Sequence, residues 1–241
     1  MTLALGVVCV AFGCLVGGAT GFGYALVSTP LLLLAGYSVP EVVFVNLVVG
    51  LVTRAAVTWS LRDHMVWPRV GLLALGSIPG AWIGAEVLHM LPLHHLKLGA
   101  GVVVALCGIA MLMPDRGGHH APSRGATAAT GAVGGFLSTT TSLNGPPPAL
   151  LLARAGVPPL VFIADLAGYL TVVSAVSLII LGASGQIPHA VLWPALPILL
   201  AAGLGGNMAG LWVARRLPVH VFRFAVIALV IVAGALTALS A

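Results

Sequence analysis

Apolar residues run in long blocks along this chain, separated by short polar or glycine-rich stretches. Six blocks are long enough for membrane helices: residues 41–60, 70–88 and 96–113, then 158–182, 190–213 and 220–240. A helix needs roughly 20 residues to cross a bilayer. Each set of three follows an opening block of different character. Residues 3–36 would reach about 51 Å as one helix, well past a hydrocarbon core of about 30 Å, yet they are short for two spans and a turn. Both opening blocks are interrupted, by GGATGFG at residues 17–23 and by TTTSLNGPPP at residues 139–148. Glycine and proline runs stop helices. Each opening block is therefore expected to form two short helices, as a re-entrant hairpin or a pair of short spans.

The matching order of the two halves reflects an internal repeat, the first feature to seek in any sequence. Gly80, Gly84, Leu91-Pro92, His94, Lys97 and Gly108 recur as Gly206, Gly210, Leu217-Pro218, His220, Arg223 and Gly234, at a constant offset of 126. Upstream, Gly17-Gly18 matches Gly134-Gly135, and the turn to Gly36 resembles the turn to Gly156. The chain divides into one copy over residues 1–113, a polar linker over 114–125 and a second copy over 126–241. The linker, rich in Pro, Gly, Ser and charge, is expected to be a solvent-exposed loop.

Composition removes most other classes. Of 241 residues, 60% are apolar and 6% charged, and the mean hydropathy is +1.14. Soluble domains carry roughly 25% charged residues, so the chain is read as an all-α polytopic membrane protein. Ten basic against five acidic residues do not indicate nucleic acid, because the basic residues are scattered rather than clustered on one face. Their placement instead sets a topology, since Lys and Arg accumulate in cytoplasmic loops. If each copy crosses an odd number of times, Arg62, Arg69, Arg116, Arg124, Arg154, Arg215, Arg216 and Arg223 share one side and Lys97 alone takes the other. Parallel copies would split the same residues four against five. The expectation is two inverted-topology repeats in the cell membrane, each a broken or re-entrant helix pair followed by three transmembrane helices. The linker is then cytoplasmic and both termini lie outside.

Cys9, Cys14 and Cys107 lie in apolar runs, where a thiol behaves as a small hydrophobe. The start, Met1-Thr2, lacks the basic region of a signal peptide, so the first block is expected to be retained. His119-His120 in the linker have no Cys or carboxylate at metal-site spacing. Neither a metal nor a cofactor is expected.

Inverted repeats with discontinuous helices are a transporter pattern, with cargo held near mid-membrane where the breaks meet. Helix N-termini there offer free N–H groups and a positive dipole end, which suit an anion. Gly21, Phe22 and Gly23 in the first break, and Asn144 and Gly145 in the second, are expected to line the meeting point. Thr20, Ser28, Thr140, Thr141 and Ser142 add hydroxyls at similar depth, and Asn46 and Tyr169 are further polar side chains within spans. The glycines at 76, 80 and 84, and at 206 and 210, are read as helix contacts instead. Two charges fall inside spans. Arg54 and Asp165 each lie about seven residues from the cytoplasmic end of their helix, and intramembrane charges face a cavity or a partner. Equal depth allows an Arg54–Asp165 pair, either structural or coupling transport to an ion. Glu41 and Glu86 fall near the outer ends, as interfacial residues.

The order of these motifs resembles the sulfite exporter TauE/SafE family of membrane permeases. The likeness rests on the break from Gly17 to Gly23 followed by Pro30 and the turn to Gly36, the loop from Arg62 to Trp67, the Gly-xxx-Gly and Leu-Pro ends of both copies, and the stretches 134–138 and 144–147. It implies a secondary transporter of sulfite, sulfonates or related anions, driven by an ion gradient. The expected substrate-binding residues are Gly21, Phe22, Gly23, Ser28, Asn46, Arg54, Thr141, Ser142, Asn144 and Gly145, with Asp165 and Arg54 as coupling residues. The expected partners are the lipid bilayer, a small anion and a coupling proton or cation, with a homo-oligomer left open. An enzyme is not expected: no Ser-His-Asp, HExxH or paired-carboxylate pattern occurs. The alternative is a membrane subunit that anchors or assembles another complex without transporting.

Overall fold

The computed structural model describes residues 2–90, 93–112, 122–214 and 228. Most of the linker, His119-His120, and all but one residue of the block at 220–240 lie outside the described residues. Among the described residues ten α-helices follow one another: α1 (Thr2–Thr20), α2 (Tyr24–Leu34), α3 (Val39–Leu61), α4 (Trp67–Met90), α5 (Leu93–Leu112), α6 (Arg124–Thr141), α7 (Pro146–Arg154), α8 (Pro159–Ala183), α9 (His189–Leu192) and α10 (Ala195–Ala214). No strand occurs among the described residues. The protein is an all-helical multi-pass membrane protein, with five helices apolar and long enough to cross a bilayer among the described residues.

Local chemistry sets the helix ends. Ser38 and Glu41 form a capping box at the start of α3, satisfying backbone N–H groups that have no partner within the helix. Ser123 caps α6 by accepting the N–H of Ala126. That helix starts at Arg124, two residues inside the expected linker. Gly36 and Gly156 take left-handed φ values of 94° and 61° after α2 and α7, the conformation in which glycine commonly closes a helix. The block at 190–213 is broken rather than continuous: α9 ends at Leu192 and α10 begins at Ala195.

Both opening blocks fold as antiparallel helix hairpins, but their limbs are unequal. α1 has 19 residues and α6 has 18, whereas α2 has 11 and α7 has 9. In the first hairpin Gly17 abuts Tyr24, Gly13 abuts Ser28 and Gly6 abuts Tyr37. The chain therefore turns at residues 21–23 and returns to the level at which it began.

Glycine decides which helices lie side by side. Any Cβ at Gly76 or Gly80 would strike the carbonyl of Ala128 or Ala132, and one at Gly131 or Gly135 would strike Leu73 or Ser77. Bare backbone thus locks α4 to α6 in a parallel pair. Gly206 and Gly210 lie as closely against Ala11 and Leu15, locking α10 to α1, also parallel. Small residues allow this close approach, and dispersion then holds the helices together in lipid. Each close pair joins a hairpin of one copy to a long helix of the other. Between them α3 and α8 cross in opposite directions, with Thr58 bonded to Thr171 at 2.9 Å and Leu47 clustered with Leu181. The two hairpins consequently enter the bundle from opposite ends. Phe12, Trp82, Ile179, Met208 and Trp212 are exposed on the outside, an apolar surface that suits lipid rather than water.

Candidate functional site

The hairpin tips meet against the middle of α3 and α8. Phe22 of the first tip lies on Gly145 of the second, where a Cβ would collide with the ring. Beside this contact is a cavity of about 20 Å³, lined by Phe22, Tyr24 and Ala25, by Asn46, Leu47, Gly50 and Arg54 of α3, by Ser142 and Asn144, and by Leu170 and Ser174 of α8. That volume admits about one water molecule.

One hydrogen-bonded cluster holds the tips together. Ser28 donates to Asn46 Oδ1 at 2.8 Å. Asn46 Nδ2 donates to Thr29 Oγ1 and to Ser142 Oγ, both at 2.9 Å. Ser142 Oγ donates to the Thr141 carbonyl and lies 3.2 Å from Thr29 Oγ1. Asn46 therefore uses both amide hydrogens and its carbonyl oxygen, joining α2, α3 and the second tip. Ser142 itself has a φ of 60°, a conformation costing an ordinary residue roughly 1–2 kcal/mol. Such strain persists only where neighbouring contacts impose it, and these bonds do so. Behind the second tip, Ser138 Oγ accepts from Asn144 at 3.1 Å and from Ser177 at 2.8 Å.

Arg54 contributes the only charge among the residues lining the cavity. The residue is 6% exposed, and its guanidinium makes no hydrogen bond or ion pair with any described residue. Tyr24 beside it is 3% exposed, its hydroxyl sealed from solvent and close to Ser28. Buried donors are almost always satisfied in folded proteins, so a guanidinium without a described partner makes this cavity the candidate binding place.

A pair between Arg54 and Asp165 does not form. Asp165 is wholly buried and lies outside the cavity lining. Its Oδ2 is 2.7 Å from both Nε and Nη2 of Arg69, and its Oδ1 accepts the Val66 N–H at 2.7 Å. These three donors tie α8 to the start of α4, across the two copies. The other described acids are also placed elsewhere: Glu41 in the α3 capping box, Asp63 beside Arg62 at 3.9 Å, and Glu86 on the exposed surface.

The chain matches the family model "Sulfite exporter TauE/SafE" over residues 5–237. It belongs to that family. A "Probable sulfite/organosulfonate exporter TauE" of Cupriavidus necator is 28% identical over 197 residues, covering 78% of this chain and 76% of that protein. A "Probable membrane transporter protein YjnA" of Bacillus subtilis is 31% identical over 105 residues, covering 40% of this chain and 41% of that protein. No solved structure matches. The family is one of membrane transporters, and the protein is accordingly a membrane transport protein.

Of the residues singled out in the sequence, Phe22, Asn46, Arg54, Ser142 and Asn144 line the cavity of this family member. Gly21, Gly23, Ser28, Thr141 and Gly145 lie behind them. Gly21 ends α1 with a φ of 88°, and the Gly23 N–H is bonded to Thr20. Ser28 supports Asn46, and Thr141 Oγ1 donates to Leu137 in its own helix. Thr140 bonds the Phe136 carbonyl likewise, and Tyr169 reaches the Gly131 carbonyl at 3.5 Å, away from the cavity. Sequence reasoning missed Tyr24, Gly50, Ser174 and the Arg69 partner of Asp165. One signal was present: Asn46, Gly50 and Arg54 recur every four residues, a non-apolar stripe on one face of α3.

Proposed function

We propose that the protein is a secondary transporter of small sulfur-containing anions, sulfite or an organosulfonate, and that cargo passes through the cavity between the hairpin tips. The observation that carries this is Arg54, a buried cation without a counter-ion among the described residues, where the two hairpins meet. A lone buried charge is strongly unfavourable, and an anionic cargo supplies the missing partner. The printed name of the Cupriavidus relative supports the choice of sulfur anions.

The two copies act as inverted halves, each hairpin closing the path from its own end. The opposite directions of α3 and α8 support this, as does the charge distribution. Arg62, Arg69, Arg124 and Arg154 follow or begin helices at one end, and Glu41 and Glu86 stand toward the other. By the positive-inside rule the basic end is cytoplasmic in the cell membrane, with the linker there and the termini outside. Transport is driven by an ion gradient. Asp165, held by three donors, serves to join the copies rather than to carry the coupling ion.

Proteoliposomes of purified protein test the assignment. Loaded with radiolabelled sulfite, they are expected to release it faster than protein-free vesicles. Arg54→Ala is expected to abolish that release while the protein remains folded and monodisperse. Release that ignores Arg54, or no movement of any sulfur oxyanion, overturns the assignment.

A further inference from the structure

We infer that Gly50 is a specificity-determining residue: its bare backbone makes room for the substituent of an organosulfonate whose charged head is held by Arg54, and so limits the size of the cargo. This rests on the proposed anion site and goes beyond it by naming the residue that sets cargo size.

Asn46, Gly50 and Arg54 follow one another at intervals of four on α3 and line the same cavity. Four residues advance a helix by about 6 Å, and helical side chains lean toward the N-terminus, so the Arg54 side chain leans toward Gly50. An anion on the guanidinium therefore has Gly50 beside it and Asn46 a turn further on. Because all three residues belong to one helix, their spacing does not depend on where the hairpin tips stand.

Glycine inside a helix is less stable than alanine, and in membrane helices it is usually kept for close packing. The glycines that join α4 to α6 and α10 to α1 follow that rule, with backbone directly against them. Gly50 does not: an added Cβ would meet only Ser174 Oγ, at 4.0 Å. Gly71, Gly99, Gly125 and Gly205 also have open space over them, but they lie on the exposed surface. Gly50 is buried, and Ser174 across from it lines the cavity as well. The space over Gly50 is thus internal and belongs to the cavity.

The second copy supplies a comparison. Val39-Pro40, Val43-Phe44, Gly50 and Thr53 recur as Val157-Pro158, Val161-Phe162, Gly168 and Thr171, at a constant offset of 118. Gly168 is buried too, but the space over it is filled by the end of the Met65 side chain, with Val70 Cγ1 at 3.3 Å. The same position serves packing in α8 and is left open beside the cavity in α3.

Gly50→Ala tests this. The new methyl group meets no protein atom closer than 4.0 Å and alanine favours the helix, so the variant is expected to melt no lower than the unmodified protein. Half-saturating concentrations for sulfite, methanesulfonate and ethanesulfonate are measured in proteoliposomes at one fixed pH. Gly50→Ala is expected to raise the ratio of the ethanesulfonate value to the sulfite value about tenfold, the usual effect of one methylene in a fitted pocket, with methanesulfonate between. Ligand-induced rises in the melting temperature of the detergent-purified protein are expected to give the same ranking without transport. Gly168→Ala, which displaces the flexible end of Met65, is expected to lower the melting temperature and leave the ratio unchanged. An unmodified protein that takes sulfite but neither sulfonate overturns the inference. So does a ratio that Gly50→Ala leaves unchanged, or one that Gly168→Ala shifts as far. Size-graded loss of stabilisation without transport leaves the inference standing and defeats the transport assignment, whereas binding of no sulfur anion defeats both.

Discussion

Asn46 Nδ2 and Ser142 Oγ lie 2.9 Å apart, so a long helix of the first copy holds the hairpin tip of the second. Both residues line a cavity with room for about one water, and the same amide also holds α2.

Asn46→Ala should loosen the tips. Its three hydrogen bonds are lost together, at a cost of about 1–3 kcal/mol given the modest worth of such bonds in membranes. In a background without Cys9, Cys14 and Cys107, a cysteine replacing Ser174 is expected to react several-fold faster with a soluble maleimide when Asn46 is also replaced. An unchanged rate would show that Asn46 does not restrain the tips.

Asp165→Asn should damage folding rather than coupling. The substitution leaves Arg69 without its carboxylate in a largely buried setting, a loss of about 3–5 kcal/mol. The double variant Asp165→Leu with Arg69→Met is expected to recover much of that stability. In the recovered protein, sulfite movement should respond to the ion gradient as in the unmodified protein. Loss of gradient dependence at normal stability would return Asp165 to a coupling role.

Adjacent glycines in α10 should respond in opposite ways. A Cβ at Gly205 meets nothing within 4 Å, whereas one at Gly206 collides with the Ala11 carbonyl. Gly205→Ala is expected to stabilise by about 0.5–1 kcal/mol through the usual helix preference. Gly206→Ala is expected to cost about 1–3 kcal/mol as α1 is forced away. Melting temperatures of the two purified variants measure the contrast, and equal values would refute the close α1–α10 packing.

The helices were legible because hydropathy and helix breaking are local properties. The blocks at 41–60 and 158–182 became α3 and α8 with little change in length, and the interruptions near residues 21 and 142 became turns. The breaks were also the right place to look for a site, since Phe22, Ser142 and Asn144 face the cavity. The break between α9 and α10 was lost inside one apolar block, because hydropathy averages over Pro194. Gly21 and Gly145 lie in the two breaks without lining the cavity: Gly21 forms the turn and Gly145 supports Phe22.

From the sequence alone follow a membrane bundle, its broken helices and an intramembrane arginine. Each depends on composition or on position along the chain. Position along a helix specifies depth, and depth made Arg54 and Asp165 plausible partners. Only the tertiary structure decided which face of each helix meets which neighbour. Close glycine contacts place α4 against α6 and α1 against α10, and packing brings Arg69 to Asp165. Arg54 is left beside Tyr24 at the cavity, its charge unmatched among the described residues. Direction around a helix axis depends on the shapes of its neighbours, and those become neighbours only when the chain folds.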